Sequence, residues 1–156
     1  MLLDRRSYAK DEIAPGLVVF ASGDALRISD GFRARMTSGG PLAAGASADA
    51  IAKGNRYFVV LARRGDAVVL APAYTTYRPA RLRVAGKTGH LGWVDHETHI
   101  DPRQFWIAGA AAVVEAAEAA RDLSSARLRN RVMPRELAQI CAAVDATRAS
   151  RPPLAA

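Results

Sequence analysis

The clearest pattern of hydrophobic and polar positions falls in the middle of the chain. Residues 57–62 are a run of aromatic, β-branched and aliphatic side chains, and residues 68–71 are a second apolar run. These residue types favour strands, and the polar, glycine-containing segment 63–66 between the runs is typical of a hairpin loop. Because both runs are continuous rather than alternating, they predict two antiparallel strands that are buried on both faces. Residues 81–84 alternate between apolar and basic positions and predict a third strand.

Upstream of these strands, the pattern predicts one strand and a long insertion. Residues 16–21 are apolar and follow a Pro–Gly turn signal, so they predict a strand. Leu26 and Ile28 alternate with polar neighbours, as in a short strand. Residues 37–50 are rich in glycine, alanine and serine and contain little to bury, so we expect a mobile loop over the functional face. The segment from about 22 to 52 is therefore expected to be an insertion within one domain.

Downstream, the pattern changes from strands to helices. Residues 90–94 and 97–100 are interpreted as one or two strands, and residues 107–123 have a high helix propensity. Residues 133–146 form an amphipathic pattern with a proline at the first helical position, which predicts a second helix. The chain is therefore expected to be a single α+β domain of 156 residues, with a helical part at about 107–148.

The composition gives the net charge of the protein and bears on the cellular compartment in which we expect it. The formal net charge is +7, and most of the basic residues are arginines. Three explanations stay open for this charge: a surface that binds a polyanion, an acidic protein partner, or a genome whose composition favours arginine. The only cysteine, Cys141, excludes an internal disulfide and is interpreted as a buried, inert thiol. No apolar run approaches the ~20 residues that span a bilayer, so we expect a cytoplasmic protein without a membrane partner.

Two weaker motifs lie between residues 86 and 99. His90, His96 and His99 have acidic neighbours, but their spacing matches no zinc pattern, so no metal or other cofactor is expected. A histidine acting as a general acid or base remains an alternative. The Gly–Lys–Thr triplet at Lys87 lacks the earlier glycine of a phosphate-binding loop, because Arg81 occupies that position. The triplet is therefore interpreted as a basic turn between strands.

A third candidate site lies at the ends of the two central strands. Arg56 stands at the start of the first strand, and Thr75 and Thr76 follow the end of the second. Because antiparallel neighbours bring the start of one strand to the end of the other, these side chains are expected to lie together. A guanidinium beside hydroxyls suits a phosphate group. The alternative is that Arg56 is a surface strand residue and the threonines only form a turn.

Short motifs around these strands resemble the PemK/MazF-like toxins of bacterial toxin–antitoxin pairs. The motifs are KGNRYFVVL at residues 53–61, AVVLAPAYTT at residues 67–76 and GWVDHETHIDPRQF at residues 92–105. In that family a Gly-x-Arg entry leads into an aliphatic strand, and a second aliphatic strand ends in a proline followed by Thr or Ser. The resemblance implies a small SH3-like, partly open antiparallel β-barrel with C-terminal helices, which is usually a homodimer.

The resemblance also implies a toxin-type endoribonuclease. Such an enzyme cleaves single-stranded RNA through attack by the 2′-hydroxyl, without a metal or other cofactor, and is neutralised by a small antitoxin protein. Family-like roles give charge stabilisation to Arg56 and the hydroxyl role to Thr75, with Thr76 as the second choice. The expected RNA-binding residues are Arg78, Arg81, Arg83 and His99. Two alternatives remain: an inactive barrel that binds protein or nucleic acid, and a toxin fold directed at a protein.

Overall fold

The computed structural model describes residues 7–36 and 54–149. Within these residues the protein has an α+β fold of nine strands and four helices. The strands are β1 (Leu17–Ser22), β2 (Arg33–Met36), β3 (Asn55–Arg64), β4 (Ala67–Tyr74), β5 (Leu82–Arg83), β6 (Lys87–Thr88), β7 (His99–Ile100), β8 (Gln104–Gly109) and β9 (Asn130–Val132). The helices are α1 (Gly23–Arg27), α2 (Leu91–Val94), α3 (Ala110–Ala119) and α4 (Pro134–Ala149).

The strands form one open sheet around the β3–β4 hairpin. Its order is β2-β8-β4-β3-β1-β9-β6, while β7 pairs with the end of β4 and β5 pairs with β7. The pairings of the described strands are antiparallel, and Phe58 of β3 stands opposite Pro72 of β4. The predicted antiparallel pair at residues 57–62 and 68–71 is therefore confirmed. An open antiparallel sheet of this kind is consistent with a partly open barrel.

Both faces of the hairpin are buried, as its continuous apolar runs predict. Phe58 and Val60 project into a hydrophobic cluster that also contains residues of α3. Val59 and Leu61 project from the opposite face into a second cluster, which contains residues of α4. Successive strand residues point to opposite faces, so one strand supplies both cores. Each fully buried side chain of this size contributes about 1.5–3 kcal/mol relative to leaving it exposed.

The short strand predicted at Leu26 and Ile28 is wrong, because that segment forms helix α1. The Ser22 side chain accepts a hydrogen bond from the backbone N–H of Ala25 at 3.1 Å and so caps the helix. The helical turn buries Leu26 and leaves Ile28 86% exposed. The expected insertion at 22–52 therefore contains α1 and β2, while the loop predicted at 37–50 lies outside the described residues.

Two further boundaries differ from the sequence-based expectation. The segment predicted as a strand at 90–94 is helix α2, because this turn buries Trp93 completely; the second predicted strand is reduced to β7. The helix predicted from residue 107 begins only at Ala110, since residues 107–109 continue the alternating burial of β8. The second predicted helix is confirmed as α4. None of the helices in the described part of the chain is long and apolar enough to cross a membrane.

A buried polar network, which the sequence did not predict, joins the beginning of the described chain to the region around β9. The guanidinium of Arg129 donates to both carboxylate oxygens of Glu12, at 2.9 and 3.1 Å, and lies 3.8 Å from the ring centroid of Tyr8. The carboxylate of Asp122 accepts from the Tyr8 hydroxyl at 2.7 Å and from the Phe20 N–H at 2.9 Å. Because these buried groups are hydrogen-bonded to one another, they hold the N-terminal segment against the sheet.

Gly89 provides a test of how closely the chain after β6 packs against β9. Its φ is +133°, and a Cβ would lie 2.6 Å from Cα of Asn130. We expect Gly89→Ala to lower the free energy of unfolding by about 3 kcal/mol or more, through backbone strain and steric overlap. Gly65→Ala is the control, because Gly65 also has a positive φ but open space around it. It should cost only about 1–2 kcal/mol. Equal costs in chemical denaturation would contradict the described packing.

Candidate functional site

Strand pairing brings several of the predicted site residues onto one face of the sheet. Tyr74 of β4 stands opposite His99 of β7, which stands opposite Arg83 of β5. Directly paired residues in an antiparallel ladder project to the same face. Arg56 lies beside Tyr74, with its guanidinium carbon 5.1 Å from the ring centroid. We call Arg56, Tyr74, Arg81, Arg83 and His99 the arginine–tyrosine site.

Tyr74 is the centre of this site. The guanidinium carbon of Arg81 lies 3.8 Å from the Tyr74 ring centroid, a distance typical of a close cation–π contact. Arg81 Nη1 also donates to the carbonyl oxygen of Thr76 at 2.8 Å, and Arg56 Nη1 donates to the carbonyl oxygen of Ala73 at 3.1 Å. Backbone hydrogen bonds therefore hold two guanidinium groups beside one aromatic ring, and their positive charges are concentrated at the ends of β3 and β4.

The two threonines occupy the predicted position but have different contacts from those expected. Arg56 does reach the end of β4, where it meets Ala73 and Tyr74. Thr75 and Thr76 directly follow β4 and are both exposed. Thr76 contributes its backbone carbonyl to the site, through Arg81. The catalytic roles expected for Arg56, Thr75 and Thr76 therefore stay predictions.

The predicted RNA-binding residues divide into exposed and buried members. Arg78 and Arg83 are exposed, and Arg81 is half-buried. His99 is only 2% exposed, and its Nε2 lies 2.6 Å from a carboxylate oxygen of Glu97. This hydrogen bond lowers the pKa of Glu97. A side chain with so little exposure presents no open edge to RNA, so His99 supports the site from within the sheet.

Beneath Tyr74 lies a hydrogen-bonded relay that the sequence reasoning missed. The indole Nε1–H of Trp106 donates to Oε1 of Gln104 at 2.9 Å, and Nε2 of Gln104 donates to the Tyr74 hydroxyl oxygen at 2.9 Å. Gln104 is 2% exposed. The available signal was a polar residue at a position of β8 that alternates in step with buried Trp106 and Ala108. Burial raises the pKa of Tyr74, so its hydroxyl stays protonated at neutral pH.

The Gly–Lys–Thr triplet has a structural role. Lys87 and Thr88 form strand β6 and pair with β9, so the predicted turn is wrong. The Lys87 ammonium lies 4.8 Å from the Trp93 ring centroid and donates to Thr98 Oγ1 at 3.0 Å. Its burial lowers the pKa of Lys87. This lysine is therefore engaged in packing the sheet edge against α2.

The other candidate groups also serve the fold. Nε2 of the His90 imidazole accepts the backbone N–H of Ser125 at 3.3 Å, and the His96 ring packs against the ring of Tyr57 at 5.7 Å. Within residues 7–36 and 54–149, no group of three or more His, Cys, Asp or Glu side chains is arranged to hold a metal ion. Cys141 is half-buried, and burial raises the pKa of its thiol. The raised pKa favours the predicted unreactive thiol, but the side chain is half-buried and not buried as predicted.

Comparison with protein-family models, with curated proteins and with solved structures finds no match to this chain. Its function must therefore be argued from the geometry of the arginine–tyrosine site and from the motifs around it. Those motifs lie on β3, on β4 and on the segment from α2 to β8, which are the elements that carry most of the site.

The raised pKa of Tyr74 predicts how folding stability depends on alkaline pH. A phenol whose folded pKa exceeds its unfolded value of about 10 stabilises the fold below that pH, and this stabilisation is lost as the pH rises further. Tyr74→Phe should therefore lose stability less steeply than the wild type above about pH 10, by up to about 1.4 kcal/mol per pH unit. Urea denaturation between about pH 9 and 11 measures both slopes. Equal slopes would show that the Tyr74 hydroxyl ionises as freely as in the unfolded chain.

Proposed function

We propose that this chain is a metal-independent endoribonuclease that cleaves single-stranded RNA at the arginine–tyrosine site, as toxins of the PemK/MazF type do. The observation that carries the proposal is the pair of guanidinium groups, Arg56 and Arg81, held beside Tyr74 at the ends of β3 and β4. The toxin-like motifs of the sequence belong to the same strands. The proposal also takes the open antiparallel sheet as a partly open SH3-like barrel.

The proposed chemistry needs positive charge more than any other group. The 2′-hydroxyl oxygen attacks the adjacent phosphorus and loses its proton to water, while the bond to the 5′-oxygen breaks and that oxygen gains a proton from water. The products are a 2′,3′-cyclic phosphate and a 5′-hydroxyl. In the transition state, negative charge builds up on the phosphoryl oxygens, to which a planar guanidinium such as Arg56 donates two hydrogen bonds. In this proposal the exposed hydroxyl of Thr75 or Thr76 adds a further hydrogen bond.

The proposal extends to the partners of such an enzyme. Arg83 of the site is exposed, as is Arg78, whose carbonyl oxygen accepts the Arg81 N–H, so the surface here is basic. A basic surface suits both the RNA backbone and an acidic segment of a small antitoxin protein, which would block access by covering the same arginines. A homodimer is part of the same proposal and rests on the family resemblance alone, while a cytoplasmic location rests on the absence of a long apolar run in the sequence.

A second candidate function is binding of single-stranded RNA without cleavage. Two observations favour it. The Tyr74 hydroxyl is held protonated, so it is a poor acceptor for the proton of an attacking 2′-hydroxyl. The His99 imidazole is buried and hydrogen-bonded to Glu97, which removes it from direct contact with a substrate. The described geometry thus contains more groups that bind a phosphate than groups that accept a proton.

Replacing Arg56 separates catalysis from general attraction. We expect Arg56→Ala to lower the cleavage rate at saturating RNA by about 10²–10³-fold, because the lost guanidinium meets charge that develops in the transition state. Arg56→Lys should recover little of this rate, since an ammonium lacks the planar fork. Thr75→Ala should also lower the rate. The assay is cleavage of a mixed-sequence RNA in the presence of EDTA.

Arg64→Ala is the matched control for charge. Arg64 is exposed at the opposite end of β3, so its loss should weaken binding only modestly and in a salt-dependent way. If wild-type protein binds this RNA but never cuts it, the binding module becomes the better description. If Arg56→Ala keeps full turnover while Arg64→Ala loses it, the catalytic groups lie elsewhere on the chain.

A further inference from the structure

We infer that Tyr74 donates a hydrogen bond to an acceptor oxygen of the RNA backbone, and that Gln104 is the positioning residue that fixes this polarity. The inference rests on the proposed function, in which RNA occupies the arginine–tyrosine site. It assigns a role to two side chains that the toxin-like motifs do not single out, and it specifies which chemical group of the ligand lies over Tyr74.

The first step is the orientation of the Gln104 amide. An indole N–H can only donate, so the amide must present its oxygen to Trp106, as the 2.9 Å contact from Nε1 to Oε1 indicates. The amide NH₂ then has to face Tyr74, where Nε2 lies 2.9 Å from the hydroxyl oxygen. The flipped amide would place two donors against each other beside Trp106 and leave the buried indole N–H without an acceptor.

Packing holds Trp106, the first donor of this relay, in place. The Trp106 ring is fully buried and contacts the ring of Phe58 at 5.0 Å and the ring of Phe32 at 5.1 Å between centroids. These contacts fix the direction of the indole N–H, and Gln104 itself is almost completely buried. The polarity of the relay is therefore set by the hydrophobic core and not by solvent.

The second step is the direction of the Tyr74 proton. Its oxygen already accepts the Gln104 N–H, so the hydroxyl proton is directed away from the relay. Among the described residues, no acceptor is recorded for this proton. The neighbouring Arg56 and Arg81 groups carry donors only. Burial also keeps the phenol protonated.

The Tyr74 hydroxyl and the neighbouring guanidinium of Arg81 therefore both present donors at this site. A ligand group that contacts the Tyr74 hydroxyl has to be an acceptor, and the positive charge of Arg81 favours an anionic one. A non-bridging oxygen of a phosphodiester satisfies both conditions, whereas the amino group of a base satisfies neither. The site is thus expected to bind the backbone rather than a base edge, with little preference for sequence at this contact.

The test uses the full chain and a mixed-sequence, 2′-O-methylated single-stranded RNA, which lacks the attacking hydroxyl and is not cut. Its affinity is measured by fluorescence anisotropy. We expect Tyr74→Phe to raise Kd by about 10-fold or more, the usual effect of losing a hydrogen bond to a charged group. Tyr57→Phe is the matched control, because Tyr57 lies next to Arg56 on β3 but packs in the other core cluster. It should stay within about twofold of wild type.

Gln104→Glu tests the positioning role. A carboxylate accepts from Trp106 and also from the Tyr74 hydroxyl, so it turns the Tyr74 proton inward. We expect Gln104→Glu to weaken binding about as much as Tyr74→Phe, and the double variant to be little weaker than either, because both changes remove the same donor. The added charge would weaken binding in a way that high salt suppresses, while the loss of the donor persists. A purely structural role for Gln104 predicts that the two effects multiply.

A change in the ligand keeps the inference falsifiable if Gln104→Glu fails to fold. Methylphosphonate linkages replace one acceptor oxygen of each phosphodiester by a methyl group. On this substitution of the ligand, the wild-type protein should lose more affinity than the Tyr74→Phe variant loses, because the variant already lacks the Tyr74 donor. Equal losses, or a Tyr74→Phe affinity within about twofold of wild type, would overturn the inference. If the expected changes in affinity are found but ordinary RNA is never cleaved, the proposed nuclease activity is overturned. The inference about Tyr74 and Gln104 then still stands.

Discussion

The burial of the β3–β4 hairpin on both faces is the constraint on which the rest of the structure depends. Phe58 and Val59 are neighbours in sequence but belong to different hydrophobic clusters, so the hairpin must be covered on both sides. Helix α3 belongs to one cover and α4 to the other. Because both faces are covered, the polar side chains of this hairpin are exposed to solvent only at the ends of its strands. The arginine–tyrosine site lies at such an end, where β4 passes into the loop that leads to β5.

The parts of the fold that were predictable from the sequence are those whose local composition is compatible with only one type of secondary structure. The two continuous apolar runs and the proline-initiated helix α4 belong to this group. Residues 26–29 and 90–94 do not, because a single buried side chain in each, Leu26 or Trp93, decides the conformation through distant contacts. Strand β9 gave no clear pattern, since its three residues alternate between buried polar, exposed basic and buried apolar side chains.

For the site, antiparallel geometry was enough to place Arg56 near the end of β4. It was not enough to identify Tyr74 as the centre, because that depends on two guanidinium groups that fold back onto its ring. The net charge was an equally partial guide. Arg63 donates to the backbone carbonyl of Ile13, and Arg129 pairs with Glu12, so several of the arginines serve the fold. The net positive charge is therefore informative about a binding surface only after the arginines that have structural partners are discounted.

The polar network around Asp122 has a consequence for how the chain is made. Phe20 and Asp122, which hydrogen-bond to each other, are 102 positions apart, and β1 completes its ladder only with β9. At a translation rate of about 5–20 residues per second, β1 emerges roughly 5–20 s before its second neighbour. Strands β3 to β8, which carry the arginine–tyrosine site, are synthesised within that interval. We therefore expect a nascent chain with a largely assembled arginine–tyrosine site and a free sheet edge at β1, which makes this edge a natural point of contact for a chaperone or for a protein that captures the chain during synthesis.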